Sequence, residues 1–231
     1  MGKQYPVYDI CSMVTNRLSN DLFNIDRFHG YVKNNPHVKN VHKHSFYHLV
    51  LFTAGQGEHI LDFETYPIKK GIIYFMRPNQ AHQWIFEGEV DGYVVNFSAN
   101  FFDQLAVGSF ILENFPFFNL LSSEQVVQLD EKSIETITSL FEGILTEVNN
   151  ADYQAQTTIM IMSYLLQVFV TATRNITDNK LEYSLGNYNS VLVKKYLELI
   201  EENFREIRLP KEYAAMLYIT SNHLNFICQE Q

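Results

Sequence analysis

The chain has 231 residues, 46% of them hydrophobic and 14% aromatic, and a formal net charge of −9, so it is long and apolar enough to bury a substantial core. Its two cysteines, Cys11 and Cys228, stand far apart, which argues against a disulfide framework or a metal knuckle. The start shows no basic, apolar, small-residue signal and no apolar run reaches the length of a membrane span, so a cytoplasmic protein with no membrane partner is expected.

From Leu22 to Phe97, short β-branched and aromatic runs are separated by turn residues, which predicts strands. Val41 to Thr53 is the clearest run. His42, His44, Phe46, His48, Val50 and Phe52 share one face, and Val41, Lys43, Ser45, Tyr47, Leu49 and Leu51 share the other, because side chains alternate along a strand. Apolar residues on both faces predict burial on both sides. Gly55-Gln56-Gly57 turns the chain into a strand from His59 to Phe63, and Lys69-Lys70-Gly71 turns it into Ile72 to Met76. Pro78-Asn79-Gln80 leads into Ala81 to Phe86, and Glu87-Gly88-Glu89 with Asp91-Gly92 leads into Tyr93 to Phe97. Turns at this regular spacing predict an antiparallel barrel or jelly roll.

From Glu131 to Ile176 the apolar period becomes helical. Ile134, Ile137, Phe141, Ile144, Leu145 and Val148 make one stripe, Asn149-Asn150-Ala151-Asp152 makes a connector with Asp152 as a cap, and Ile159 to Val170 is apolar almost all round. Two such helices are expected to pack antiparallel. The second carries more apolar surface than one face requires. Thr157, Thr158, Ser163, Gln167 and Thr171 interrupt it too often for a membrane, so a second copy of the chain is the expected neighbour, with simple coverage of the barrel as the alternative. Arg174 to Asn189 is polar and aperiodic and reads as a linker.

The closing segment opens on Ser190 as a candidate N-cap. Val193, Tyr196, Leu197, Ile200 and Phe204 then share a helix face, with Glu198, Glu201 and Glu202 mostly opposite. Pro210 suits the first position of a second helix, which has Ala214, Ala215 and Leu217 as a small-residue face. Tyr218 to Ser221 reads as a tight turn, and His223, Leu224 and Ile227 begin a third helix. A helix, a tight turn and a second helix is a DNA-reading arrangement, although plain helix packing gives the same shape.

Leu209, Ala214-Ala215, Leu217, Ile219, Thr220, Leu224, Cys228 and Glu230 stand at the spacing of the AraC-type transcriptional regulators, and this part of the chain resembles that family. The segment before it resembles the cupin domain that such regulators use as a sensor. His42-Lys43-His44, His48 at the place of an acid, and Gly55 match a first cupin motif; Gly71, Pro78 and His82 match a second, with Gln80 replacing a usual glycine. The resemblance implies a mixed β and α chain in four parts. These are a cupin-like antiparallel β-barrel or jelly-roll sensor at 1–125, a helical dimerisation pair at 126–176, a linker at 177–189, and an incomplete helix-turn-helix domain at 190–231. The family carries two helix-turn-helix units, and this sequence stops at Gln231 inside the first.

The implied function is a ligand-responsive DNA-binding regulator and not an enzyme, acting as a homodimer on paired half-sites and sensing a small molecule such as a sugar. Candidate ligand-binding residues are His44, Phe46, His48, His82, Trp84, Tyr93 and Asn96, with Trp84 offering a flat face and an N–H donor. Candidate DNA-binding residues are Ser221, Asn222, His223, Asn225 and Gln229, while Leu224, Ile227 and Cys228 are expected in the core and Phe226 is left open. No cofactor is expected. The alternative is a metal-dependent cupin enzyme using His42, His44, His48 and His82, or a ligand-binding protein with no DNA role. From Ser190 onward there are five Lys/Arg against six Asp/Glu, a net of −1, which leaves −8 for the rest. That balance is weak for phosphate neutralisation, so residues 1–231 alone are expected to bind DNA poorly.

Overall fold

The computed structural model describes residues 5–13, 22–62, 64–104, 109–119, 124–149, 155–176 and 188–229. They divide into two compact units, one of residues 1–118 with 123–177 and one of 119–122 with 178–231.

The first unit is built on two sheets. In chain order its strands are β1 (Val7–Tyr8), β2 (Phe23–Arg27), β3 (Lys43–His44), β4 (Tyr47–Ala54), β5 (Gly57–Leu61), β6 (Glu64–Ile68), β7 (Ile72–Met76), β8 (His82–Phe86), β9 (Asp91–Phe97) and β10 (Val126–Gln128). Five of them form an antiparallel sheet in the order β10-β7-β4-β9-β2, three form a second in the order β6-β5-β8, and β1 pairs with β3 in parallel. The arrangement is a cupin-like jelly roll. Its two sheets face each other across a shared core without closing into one cylinder.

Side-chain alternation explains why the five-stranded sheet tolerates apolar residues on both faces. Val50, Phe52, Ile72, Tyr74, Met76 and Val94 point toward the second sheet and meet Leu61, Ile68 and Trp84 from it. Leu49, Leu51, Ile73, Phe75, Tyr93, Val95 and Phe97 point the other way, onto helices. Two buried faces require runs without polar alternation, which is what β4 and β7 carry.

The covering helices are α2 (Glu131–Asn149) and α3 (Ala155–Thr173). Asp130 begins α2 by accepting the Ser133 N–H at 2.7 Å, an N-cap bond that also holds its carboxyl below the ordinary value. Ile134, Ile137, Phe141, Ile144 and Val148 then recur on one buried face. Just past α3, Asn175 accepts the Asp130 N–H at 2.9 Å and donates to the Ser133 hydroxyl at 2.8 Å, which puts the end of α3 at the start of α2. Phe169 fastens α3 to the sheet through ring contacts with Phe75 and Phe97, and to the segment between β9 and β10 through Phe115 and Phe118. Ile159, Met160 and Val170, at helical spacing on α3, remain exposed. No helix among the described residues is long and apolar enough to cross a membrane.

Several elements depart from the pattern read in the sequence, among them β10, which falls within the expected helical pair at 126–176 but joins the five-stranded sheet beside β7. Phe28–Asn34 forms a helix, α1, that buries Phe28, Tyr31 and Val32 against the inter-sheet core. The return strand β5 spans Gly57–Leu61 rather than His59 to Phe63, and is followed by β6; Phe63 itself lies outside the described residues, as does Asp152.

The second unit contains α4 (Tyr188–Asn203), α5 (Pro210–Met216) and α6 (Ser221–Gln229). Leu192, Val193, Ala214, Leu224 and Ile227 form its core, with Tyr196, Leu197, Leu217 and Ile219 packed around them. Pro210 stands at the first position of α5, and the Leu209 N–H is held by the Glu212 carboxylate at 3.3 Å. Tyr218 takes a positive φ of 56° in the turn between α5 and α6, and Thr220 Oγ1 accepts the His223 N–H at 3.1 Å to start α6. Ala215 and Cys228 are exposed, not core; the buried faces are Tyr213 and Ala214 on α5 and Leu224 and Ile227 on α6. The side chains of Ser190, Glu198 and Glu201 and the residues 177–187 of the expected linker lie outside the described residues.

Candidate functional site

Polar side chains gather inside the otherwise apolar space between the two sheets. His42, His44 and His48 come from the strand leading into and through β4, His59 from β5, His82 from β8 and Asn96 from β9, and all are buried. Register brings them together. His48 stands opposite Asn96, His59 opposite Trp84, and His42 forms an isolated bridge with His82 through two backbone hydrogen bonds of 3.0 and 2.9 Å.

The rings are in close contact. The centroids of His42 and His82 lie 4.2 Å apart, those of His42 and His44 4.6 Å, and those of His44 and His48 4.7 Å. His59 stacks on Trp84 with centroids 3.5 Å apart and planes 16° apart. Phe46 meets His44 at 4.4 Å.

Hydrogen bonds decide which ring nitrogens carry protons. Asn96 donates its amide to Asn24 Oδ1 at 2.8 Å and accepts from His48 Nδ1, so the His48 proton sits on Nδ1 and its Nε2 keeps a bare lone pair. The Asn40 carbonyl accepts from His42 Nδ1 at 2.7 Å, which likewise leaves the His42 Nε2 lone pair free to face His44 Nε2 at 3.1 Å. His59 Nε2 and His82 Nδ1 share one proton across 3.2 Å. His44 Nδ1, His48 Nε2, His59 Nδ1, His82 Nε2 and Trp84 Nε1 are buried with no partner.

Burial keeps these rings neutral. It pushes His44, His59 and His82 well below the usual imidazole value, with mutual repulsion adding to it, and takes His48 down to about 3 despite its bond to Asn96. A neutral imidazole with an inward lone pair can accept a hydrogen bond or bind a metal ion. One ring nitrogen from each of His42, His44 and His82 lies within 4.8 Å of the others, close enough to share a single ion, so the residues present fit a metal.

Of the residues expected at a ligand site, His44, Phe46, His48, His82, Trp84 and Asn96 share this interior. Tyr93 does not. It lies three residues from Asn96 on β9 and so on the opposite face, under the Arg27 guanidinium at 4.3 Å and donating to Glu142 of α2, which also pairs with Arg27. His59 and Asn24 were not singled out in the sequence, because their places in the site follow from pairing with β8 and β9. Two surface hollows of about 370 and 520 Å³ flank Arg27, and none of the buried histidines lines either one.

In the second unit, Ser221, Asn222, Asn225 and Gln229 are exposed on α6 and His223 is half-buried. Phe226 is 52% exposed on the same helix. Leu224 and Ile227 turn inward to the unit's core.

The family described as the "AraC-like ligand binding domain" matches residues 25–169. No curated protein matches the chain. Among solved structures, ToxT from Vibrio cholerae O395, bound to (E)-4-(8-methylnaphthalen-1-yl)but-3-enoic acid, is 12% identical over 89% of this chain and 92% of that chain, with a TM-score of 0.35. The AraC-like transcriptional activator CuxR is 13% identical over 80% of this chain and 65% of that chain, with a TM-score of 0.37. A Cupin 2 conserved barrel domain protein from Salinispora arenicola CNS-205 is 22% identical over 36% of this chain and 81% of that chain, with a TM-score of 0.24.

Proposed function

This chain belongs to the family of AraC-like ligand-binding domains, and from that premise we propose that it is a ligand-responsive transcription regulator whose effector binds between the two sheets. His44, Phe46, His48, His82, Trp84 and Asn96 are the proposed contacts. The observation that carries the reading is the set of unpartnered buried nitrogens in this interior. An apolar core gains nothing from polar atoms left without partners, and each such group costs stability until something bonds to it. An effector that supplies those bonds explains why they are there.

The second unit is proposed to contact DNA through Ser221, Asn222, His223, Asn225 and Gln229, since Asn and Gln can bond adenine at two points. The exposed Ile159, Met160 and Val170 of α3 are the proposed contact between two copies in a homodimer, which suits paired half-sites. The protein is taken to be cytoplasmic and not an enzyme. To act as a switch, the effector must bind one arrangement of the dimer more tightly than the other.

A thermal-shift screen of sugars and small organic acids tests the effector site. The expected result is a hit that raises the melting temperature of the wild type and loses its effect in Trp84→Ala and Asn96→Leu variants that remain folded. A hit unaffected by either change would move the site out of this interior. For the DNA role, the measurement is an electrophoretic shift at low salt; no binding would leave a ligand-binding protein without a DNA role.

A further inference from the structure

Phe226 is 52% exposed on α6, whereas Leu224 and Ile227 of the same helix are buried in the core of the second unit. Its company on the outer side is polar. Asn222, Asn225, Phe226 and Gln229 follow one another at the i, i+3, i+4 and i+7 spacing and are all exposed, so they share one face, opposite the buried pair. Ser221 flanks that face, and His223 is half-buried at its other border, nearer the core. Three amides and one phenyl ring are thus presented together.

What α6 lacks is equally specific. Its nine residues include no Lys, Arg, Asp or Glu. Those are the side chains that read a G·C pair in the major groove, Arg or Lys through guanine O6 and N7, Asp or Glu through cytosine N4. Asn and Gln instead match adenine, accepting from N6 and donating to N7, and the thymine C5-methyl group is the apolar feature that a phenyl ring can cover. We propose that α6 selects A·T pairs, with Asn222, Asn225 and Gln229 directed at adenine and Phe226 packed on a thymine methyl group. This rests on the reading of the second unit as a DNA contact, and it gives that contact a class of sequence.

An uncharged reading face must borrow its attraction to phosphate from elsewhere in the unit. Arg205 and Arg208 are exposed just before α5, and Lys211 is exposed in its first turn. Phosphate contacts of that kind fix register and add affinity at low salt, but they carry no sequence information. The choice of base is left to α6.

The test is a selection by the full chain from random duplexes at low salt, followed by fluorescence anisotropy on the enriched sequence. Enrichment of A·T pairs is expected. Replacing thymine by deoxyuridine, one position at a time, removes a single methyl group, and at one position it should weaken the wild type about threefold to fivefold, the worth of one buried methyl. Phe226→Ala, whose circular dichroism should match the wild type because the ring lies outside the core, is expected to bind the thymine and uracil duplexes equally. Asn222→Ala and Asn225→Ala should each lower the preference for adenine at one position by at least about fivefold. A preference for G·C, no preference between pairs, or a wild type indifferent to every uracil overturns this inference and leaves the DNA role standing. An A·T preference untouched by both amide changes is readout of groove shape and overturns it as well. No binding to any duplex overturns the DNA reading itself, and this inference with it.

Discussion

His59 lies flat on Trp84 across the β5 and β8 pair, ring centroids 3.5 Å apart, and this places the chain's one tryptophan against the histidine cluster. No other indole contributes to the emission, so fluorescence reports on this interior alone. Emission should be that of a buried indole and should change on saturation with any effector bound between the sheets. A saturating ligand that leaves the spectrum unaltered binds elsewhere. Trp84→Ala should cost about 3–5 kcal/mol, measured by urea denaturation, because it empties a core position that Phe28, Phe52 and Tyr74 all touch.

Asn24, Asn96 and His48 form a relay across β2, β9 and β4. Asn96→Leu removes the acceptor for His48 and the donor for Asn24 and leaves both buried, at an expected cost of about 1–3 kcal/mol. In a double-mutant cycle with Asn24→Leu the two losses should be less than additive. Strict additivity would mean that the relay is not one unit.

The depressed histidines predict an acid limb of stability. Each is neutral when folded, with its folded value below the unfolded value of about 6.5, so below that pH the unfolded chain binds more protons. Stability is therefore fully present above about pH 6.5 and falls as the pH drops toward the folded values. Each buried histidine contributes about 1.4 kcal/mol per pH unit across that window. Urea midpoints of the ligand-free protein between about pH 8 and about pH 5 measure this slope, and a flat profile would contradict neutral burial of the cluster.

Gly92 sits where β9 meets β4 beside an irregularity in their pairing, and a Cβ built there would come to 1.9 Å from the Leu51 carbonyl oxygen. Backbone cannot give way as a side-chain tip can. Gly92→Ala should cost at least about 3 kcal/mol. Gly88→Ala meets no atom within 4 Å and carries only the strain of its φ of +86°, about 1–2 kcal/mol. Equal losses in chemical denaturation would refute the close approach.

Thr220→Ala should remove the bond to the His223 N–H and destabilise the second unit by about 0.5–2 kcal/mol, with Thr220→Ser restoring most of it. Circular dichroism during thermal melting reads the change. An alanine variant as stable as the wild type would show that Thr220 does not cap α6.

Strict alternation made the region around β4 legible in advance: placing His42, His44 and His48 on one face requires only that the chain be extended. Both faces of that strand turned out to be buried, as its unbroken apolar content indicates. Other parts were hidden for physical reasons. β6 contains Glu64 and Pro67, residues that weaken a strand signal but are tolerated here because β6 is an edge. α1 is seven residues long, with no side-chain cap, so the helical spacing of its Phe28, Tyr31 and Val32 covers too short a stretch to stand out among the strands around it. Tyr93 and Asn96 could not both face inward, since three residues of a strand reverse the side; the partners that decide between them, Glu142 and His48, are distant in the chain. His59 was missed for the same reason, because its meaning depends on pairing with β8.

His42 and His82 are joined twice, by reciprocal backbone bonds and by rings in contact. Whatever clamps the two imidazoles also clamps the stitch between the segment entering β4 and strand β8. Occupancy of the interior is thereby translated into stiffness of the main chain, and the amides of these two residues should exchange with deuterium in step with one another as a guest enters or leaves.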